Sequence, residues 1–93
     1  MNQKRRKQIN EASAGLSDDL MDMLRNIAAD LEDINMDEET ARENMPESLQ
    51  ETDRYYESEE ASEHLMEAVE HVLTAAAEIE CAQDELERVI LGI

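Results

Sequence analysis

A long stripe of apolar side chains near the carboxyl end constrains the fold of this chain more than any other feature. From Leu65 to Ile93 the apolar residues are separated by alternating steps of four and three positions, and Gln83 fills the one gap. The stripe consists of Leu65, Val69, Val72, Ala76, Ile79, Leu86, Ile90 and Ile93. This spacing is the a/d pattern of a helix that packs against another helix in a coiled coil or bundle. The sequence therefore predicts a long carboxyl-terminal helix with these residues in its core.

The composition indicates that the rest of the chain is helical as well. Two Gly and one Pro among 93 residues leave little material for tight turns, which argues against a β-rich fold. Phe and Trp are absent, so aliphatic side chains must fill any core. Glu, Ala, Leu, Met and Asp dominate, and the first four of these favour helices. We therefore expect a single all-α domain, folded as an antiparallel hairpin of two long helices with coiled-coil packing.

Helix signals divide the chain into four segments. These are a basic amino-terminal arm of helical character at 1–16, a first long helix at 17–43, a connector with a short helical turn at 44–56 and a second long helix at 57–93. Gly15 weakens a helix, whereas Ser17 followed by two acidic residues is a good helix start. Pro46 disfavours helix at the residue before it and therefore marks the connector.

Both helices carry apolar residues that predict their packing. In the first helix we place Leu16, Leu20, Met23, Ile27 and Ile34 on the a/d line, with Leu24 and Leu31 one position further round. In the second helix the g positions beside the a/d line hold Ala68, Ala75, Ala82 and Val89, and the e positions hold Met66 and Leu73. One partner helix covers an a/d line, whereas a wider arc needs two. We therefore expect two hairpins to form a homodimer, most simply a four-helix bundle.

The net charge of −17 limits the kinds of partner. Lys4, Arg5, Arg6 and Lys7 form a basic start, and the 25 acidic residues, which all lie at Glu11 or beyond, face only four arginines there, a net of −21. Such a surface repels nucleic acid and anionic membranes and attracts basic protein surfaces. We expect a protein partner with a basic surface, no direct nucleic-acid binding and no membrane contact.

Cysteine content and hydropathy bear on the compartment. The single Cys81 excludes an internal disulfide and argues for a reducing environment. No apolar run approaches the roughly 20 residues of a membrane span. The basic start is not followed by the apolar stretch of a signal peptide. We therefore expect a cytoplasmic protein.

Two sets of residues contain side chains that could support chemistry. Glu57, Glu60, His64, Glu67 and His71 share one helix face, and among them Glu60, His64, Glu67 and His71 are the candidates for a metal site. This face is opposite the apolar stripe and lacks the Glu-x-x-His spacing of di-metal bundles, so we expect no metal. Cys81 lies among acidic residues, an unfavourable setting for a reactive thiolate, and no Gly-rich loop could hold a phosphate. We expect no cofactor and no enzymatic activity.

The candidate interaction residues are two aromatic and two acidic side chains. Tyr55 and Tyr56 are the only aromatic residues and lie beside the connector. They either cap the end of the hairpin core or anchor a partner, because Tyr is enriched where proteins dock. Glu63 and Glu70 occupy outward b positions on the second helix and represent its continuous acidic surface.

The connector also carries a resemblance to a group of known proteins. Asn44-Met45-Pro46-Glu47-Ser48-Leu49-Gln50, followed by Asp53-Arg54-Tyr55 and an acidic heptad helix, resembles small acidic proteins encoded by phages and prophages. Those proteins have a basic start, an acidic first helix, an N-hydrophobic-P-E-x-L-Q connector and an acidic second helix. The resemblance implies a helical hairpin in a bacterial host cell and implies no established activity.

Three functions are compatible with these features. The first is an acidic helical protein-interaction module of phage or mobile-element type. The second is an inhibitor that mimics nucleic acid and blocks a basic groove, as anti-CRISPR and other anti-defence proteins do; a net −21 along about 50 Å gives one charge per ~2.4 Å, against ~1.7 Å in duplex DNA. The third is a metal-binding helical bundle. We expect the first.

Overall fold

The fold is an elongated antiparallel helical hairpin. The computed structural model describes residues 2–92, which form α1 (Gln3–Ser13), α2 (Asp18–Glu43), a short 3₁₀ helix (Glu47–Leu49) and α3 (Asp53–Ile90). No strand occurs within residues 2–92. The molecule measures 71 × 16 × 15 Å, and α2 packs along α3. The all-α hairpin predicted from the two apolar patterns is thus confirmed.

Local signals explain where the two long helices begin. The hydroxyl of Ser17 accepts a hydrogen bond of 3.2 Å from the backbone N–H of Leu20, and acidic residues fill the first turn of α2. Helix α3 begins at Asp53, four residues before the predicted start, because Thr52 adopts the extended N-cap conformation there. Ser58, five residues further along, lies inside α3 and is buried in the hairpin.

The core is built from one line of residues on each helix. On α3 the line that starts at Leu65 faces α2, with Val69 and Ala76 fully buried. The same spacing continues towards the connector through Ser62 and Ser58, which are also buried. On α2 the matching line consists of Met21, Leu24, Ala28, Leu31, Asn35, Glu38 and Arg42, all buried or half-buried. Ile93 lies outside the described residues.

The predicted core line of α2 is wrong in its register. Met23, Ile27 and Ile34, which we placed on the a/d line, are exposed, whereas Leu24 and Leu31 lie in the core with Met21 and Ala28. The prediction followed the largest apolar side chains. The structure instead uses a line that contains a small alanine, which lets the two helices approach closely. The larger residues are left on the flank of α2.

The basic arm continues the line of α2 beyond a bend and packs against the carboxyl-terminal end of α3. Helix α1 ends at Ser13, the chain bends near Gly15, and α1 then contacts the last turns of α3. The side-chain amide of Gln83 donates a hydrogen bond to the carbonyl oxygen of Leu16 at this bend. Gly92 has a positive φ of 85°, and a Cβ at that position would lie 3.2 Å from Nη2 of Arg6. The last turn of α3 therefore ends in a glycine cap beside the arm.

Within residues 2–92 no helix combines the length and the apolar character that crossing a membrane requires.

Candidate interaction surfaces

One ion pair shows how the flanks of the two helices are arranged. Nη2 of Arg25 on α2 lies 3.7 Å from a carboxylate oxygen of Glu80 on α3. Both residues occupy e positions relative to the core lines, one step to the side of the buried residues. In an antiparallel pair of helices the e flanks share one side, and the g flanks share the other. The hairpin therefore has two distinct lateral faces.

The side of the Arg25–Glu80 pair is strongly acidic. Its exposed e and b positions hold eleven carboxylates, and we call this surface the acidic face: Asp18, Asp22, Glu32, Glu39, Glu43, Glu59, Glu63, Glu70, Glu80, Asp84 and Glu87. Arg25 is the one basic residue at these positions. Met66 and Leu73 lie among the acids and are exposed as well. The acidic face thus combines a high negative charge with a few apolar contact points.

The predicted interaction residues fall mainly on this face. Glu63 and Glu70 are exposed at b positions, and Tyr56 occupies the b position one heptad before Glu63. Tyr55 is turned towards the hairpin and is half-buried, while its ring meets that of Tyr56 edge-on with centroids 5.9 Å apart. The structure thus aligns Tyr56 with both glutamates and gives Tyr55 the position of a cap on the core.

On the opposite side, Arg54 occupies the first g position of α3, and the g positions within 20–41 and 61–89 contain no charged residue. These g positions hold Leu20, Ile27, Ile34 and Ala41 on α2, and Ala61, Ala68, Ala75, Ala82 and Val89 on α3. We call this surface the apolar face. Ile27 is 41% exposed and Ile34 is 53% exposed, although both are large aliphatic residues. The sequence pattern predicted the wide apolar arc on α3. The apolar flank of α2 became evident only once the structure had placed Leu24 and Leu31 on the core line.

A polar cluster fixes the connector end of the core. Nη1 of Arg42 donates hydrogen bonds to the carbonyl oxygen of Ser58 at 3.0 Å, to the hydroxyl of Ser58 at 3.2 Å and to the hydroxyl of Ser62 at 2.9 Å. Nearby, the amide of Asn35 donates to Glu39 at 3.2 Å, and its buried Oδ1 has no hydrogen-bond partner. Sequence reasoning missed this cluster because it followed apolar residues alone. The sequence did contain a signal for the buried serines, because the alternating steps of three and four positions continue from Leu65 back to Ser62 and Ser58.

Only some of the candidate metal ligands lie close together. His64 lies 3.7 Å from a carboxylate oxygen of Glu60 and 3.9 Å from one of Glu67, and all three side chains are about 70% exposed. His71 is exposed one heptad further along α3. Within residues 2–92 no group of three or more His, Cys, Asp or Glu side chains has the arrangement of a metal site. These contacts join exposed side chains, and such surface contacts contribute little stability, about 0–1 kcal/mol.

Two open cavities lie at the ends of the hairpin. One of about 460 Å³ is lined by Asn10 and Ser13 of α1, by Leu16 and by residues near the end of α3. The other, of about 350 Å³, lies beside the connector and is lined by Glu38, Arg42, Arg54 and neighbouring residues. Neither lining contains a histidine or cysteine. The exposed Cys81 lies at an f position away from both.

Comparison of the chain with protein-family models, with curated proteins and with solved structures gives no match.

Proposed function

We propose that this protein is a non-catalytic interaction module that binds a basic protein surface through its acidic face. The observation that carries the proposal is the placement of eleven exposed carboxylates and one arginine on a single side of the hairpin. Charge of one sign on one surface accelerates association with an oppositely charged partner and selects against others. A purely solubilising charge does not require one side to be favoured in this way.

The acidic face also contains groups that can supply contact energy. Tyr56 is exposed in line with Glu63 and Glu70, and Met66 and Leu73 lie between the carboxylates of the two helices. Charged rims contribute mainly to the rate and specificity of association, whereas aromatic and apolar anchors slow dissociation. Tyr56 is therefore the anchor of the proposed site, and Glu63 and Glu70 attract and orient the partner.

The proposal includes a homodimer and a cytoplasmic setting in a bacterial host. The wide apolar arc supports the homodimer, because a lone hairpin leaves Ile27 and Ile34 in contact with water. The single cysteine and the resemblance of the connector to phage-encoded proteins support the setting.

Mimicry of nucleic acid is the second candidate, and the length of the molecule bears on it. A net charge of −17 along 71 Å corresponds to one charge per ~4 Å, less than half the linear density of duplex DNA at ~1.7 Å. Two hairpins side by side would carry one charge per ~2 Å, close to the density of DNA. Mimicry is therefore favoured only if the dimer is the active species.

The decisive experiment is affinity capture from a bacterial lysate with matched charge variants. We expect the wild-type chain to retain a basic protein at low salt and to release it at about 0.5 M salt. The double variant Glu63→Lys/Glu70→Lys should lose the partner. The control Glu78→Lys/Glu85→Lys has the same charge change and the same spacing on α3, but these exposed residues lie on the other side of the helix, and it should retain the partner.

Two results would contradict the proposal in different ways. If both double variants lose the partner equally, net charge rather than the acidic face determines binding. If capture survives about 0.5 M salt and is lost only in Tyr55→Ala/Tyr56→Ala, the connector end is the binding site. Identification of the captured protein distinguishes the candidates, because a nucleic-acid-binding protein displaced by added DNA indicates mimicry.

A further inference from the structure

We infer that a second copy of this chain covers the apolar face, with α2 of each copy lying over α3 of the other. This inference rests on the homodimer in the proposed function and specifies its interface and symmetry. It concerns the g flanks of both helices and leaves the acidic face free. The argument depends on the size of the side chains on each flank, their level along the hairpin, the area of the face and its charge.

The first observation is the distribution of large and small residues on α2. Ala28 is buried against α3, while the larger Ile27 and Ile34 are exposed. Burying such an aliphatic side chain stabilises a protein by about 1.5–3 kcal/mol relative to leaving it exposed. A hairpin that functions alone would be more stable if the isoleucines were buried against α3 and the alanine were exposed. The exposed isoleucines therefore indicate a second apolar partner.

The second observation is that the two flanks have complementary shapes. The α2 flank is a ridge of large residues, Leu20, Ile27 and Ile34, and the α3 flank is a trough of alanines, Ala68, Ala75 and Ala82. The contacts of Arg42 with Ser58 and of Leu16 with Gln83 fix the antiparallel pairing at both ends. With this pairing, Ile34 is level with Ala68 and Ile27 is level with Ala75. Each level thus presents one large and one small residue side by side.

This arrangement selects one symmetry for the dimer. A twofold axis parallel to the long axis of the hairpin places the ridge of one copy over the trough of its partner. Each large residue of one copy then lies opposite the alanine at the same height in the other copy. A twofold axis perpendicular to the long axis and in the plane of the interface would place ridge on ridge and trough on trough. Close packing therefore favours the parallel axis, in which each α2 neighbours the antiparallel α3 of the other copy.

The area and charge of the face fit a second copy. Residues 61–89 extend about 42 Å along α3 at 1.5 Å per residue. With a width of 16 Å, the two copies would bury roughly 1,300 Å² in total, at the lower end of stable protein interfaces. Within 20–41 and 61–89 the g positions contribute no charge, so a basic partner gains nothing there and is attracted to the acidic face instead. The repulsion between two chains of −17 is screened by salt, so added salt should strengthen the dimer.

The first test compares matched aspartate variants by light scattering at micromolar concentration. We expect the wild-type chain to have twice the mass of one 10.6 kDa chain and Ile27→Asp/Ile34→Asp to have the mass of one. Met36→Asp/Met66→Asp replaces two exposed apolar residues away from the apolar face and should remain dimeric. Circular dichroism on all three checks that the helices are retained. A wild-type chain that is monomeric, or a control that dissociates as readily as the first variant, would overturn the inference.

The second test determines the symmetry with single cysteines in a Cys81→Ser background. Chains with Ile34→Cys are mixed with chains with Ala68→Cys and oxidised. Because a disulfide needs Cα atoms within about 7 Å, the parallel axis predicts a mixed disulfide in excess over either symmetric one. Preferential linkage between Ile27→Cys and Ile34→Cys chains would instead place α2 on α2 and refute the arrangement.

The outcome is separable from that of the proposed function. Capture of a basic partner depends on Glu63 and Glu70, and dimer mass depends on Ile27 and Ile34, which lie on the other side of the hairpin. A monomeric chain that still captures its partner would refute the dimer alone. A dimeric chain that captures nothing would refute the partner alone. Binding of the wild-type chain to uncharged lipid vesicles without dimerisation would show that lipid covers the apolar face and would also refute the inference.

Discussion

The apolar face and the acidic face are built on the same two helices and on the same core, yet they contain opposite kinds of residue. At the flank positions alone, the apolar face has nine uncharged residues and Arg54, whereas the acidic face has six carboxylates and Arg25. Charged residues make up 35% of the chain, so an uncharged strip along both helices needs a physical reason. In our proposal each side of the hairpin therefore has a different partner, one apolar and one basic.

The difference also shows that overall acidity is a poor guide to this molecule. The net charge of −17 suggests a uniformly repulsive rod. The structure instead places eleven carboxylates at b and e positions and none at the g positions of α2 and α3, where Arg54 is the one charged residue. Two copies can therefore associate through one side while the other side remains available. The following variants test how independent the two faces are of each other and of the core that positions them.

The largest effect is expected from a charge in the shared core. Val69 is 2% exposed, so Val69→Asp buries an unpaired carboxylate and should destabilise the hairpin by more than about 4 kcal/mol. Both faces should be lost together, because each depends on the same pairing of α2 and α3. Thermal unfolding followed by circular dichroism measures the change.

Met66→Asp is the matched control for this substitution. Met66 lies one turn before Val69 and is 41% exposed on the acidic face, so the same new charge should change the stability by only about 0.5 kcal/mol. If Met66→Asp unfolds the chain as well, Met66 belongs to the core and the boundary of the acidic face is misplaced.

The sequence was sufficient to predict the hairpin but not the faces. The heptad stripe of α3 and the proline connector determine two antiparallel helices whatever the detailed register. On α2, however, Leu24 and Leu31 are flanked by apolar residues on both sides, namely Met21 and Ala28 on one side and Ile27 and Ile34 on the other. Hydrophobicity alone cannot decide between two such lines, and it favoured the larger residues. Only the fit of α2 against α3 selects the smaller ones.

The polar residues in the core were the second feature that the sequence did not predict. Arg42, Ser58 and Ser62 satisfy one another by hydrogen bonds, so they occupy buried positions that an apolar pattern assigns to the surface. The outward positions of Glu63 and Glu70 were easier to predict, because they follow directly from the α3 stripe. Their alignment with acids of α2 required the structure.

An intermediate effect is expected from the cluster that fixes the pairing of the helices. Arg42→Met removes three hydrogen bonds and leaves the buried hydroxyls of Ser58 and Ser62 without this donor, which should cost about 1–3 kcal/mol. Because the cluster sets the level of Ile34 against Ala68, the dimer should weaken although Arg42 is not on the apolar face. Chemical unfolding and light scattering measure the two effects.

A triple variant separates the hydrogen bonds from the loss of a charge. Arg42→Met/Ser58→Ala/Ser62→Ala replaces donor and acceptors together, and most of the lost stability should return. The dimer should recover less fully, since apolar residues do not fix the register as the hydrogen bonds do. A triple variant no more stable than Arg42→Met would contradict the role given to the serines.

The smallest effect is expected from Arg25, the one positive charge on the acidic face. Its ion pair with Glu80 at 3.7 Å is half exposed, so Arg25→Ala should change the free energy of unfolding by less than about 0.5 kcal/mol. Removing it makes the face more uniformly negative, and the association rate with the captured basic partner should rise by no more than a few-fold at low salt.

Arg88→Ala is the control, because it removes an equal charge and a 3.4 Å ion pair with Glu85 away from the acidic face. Stopped-flow or surface-binding kinetics should show acceleration for Arg25→Ala and little for Arg88→Ala. Equal acceleration would mean that the partner responds to the net charge of the chain and not to one side of the hairpin.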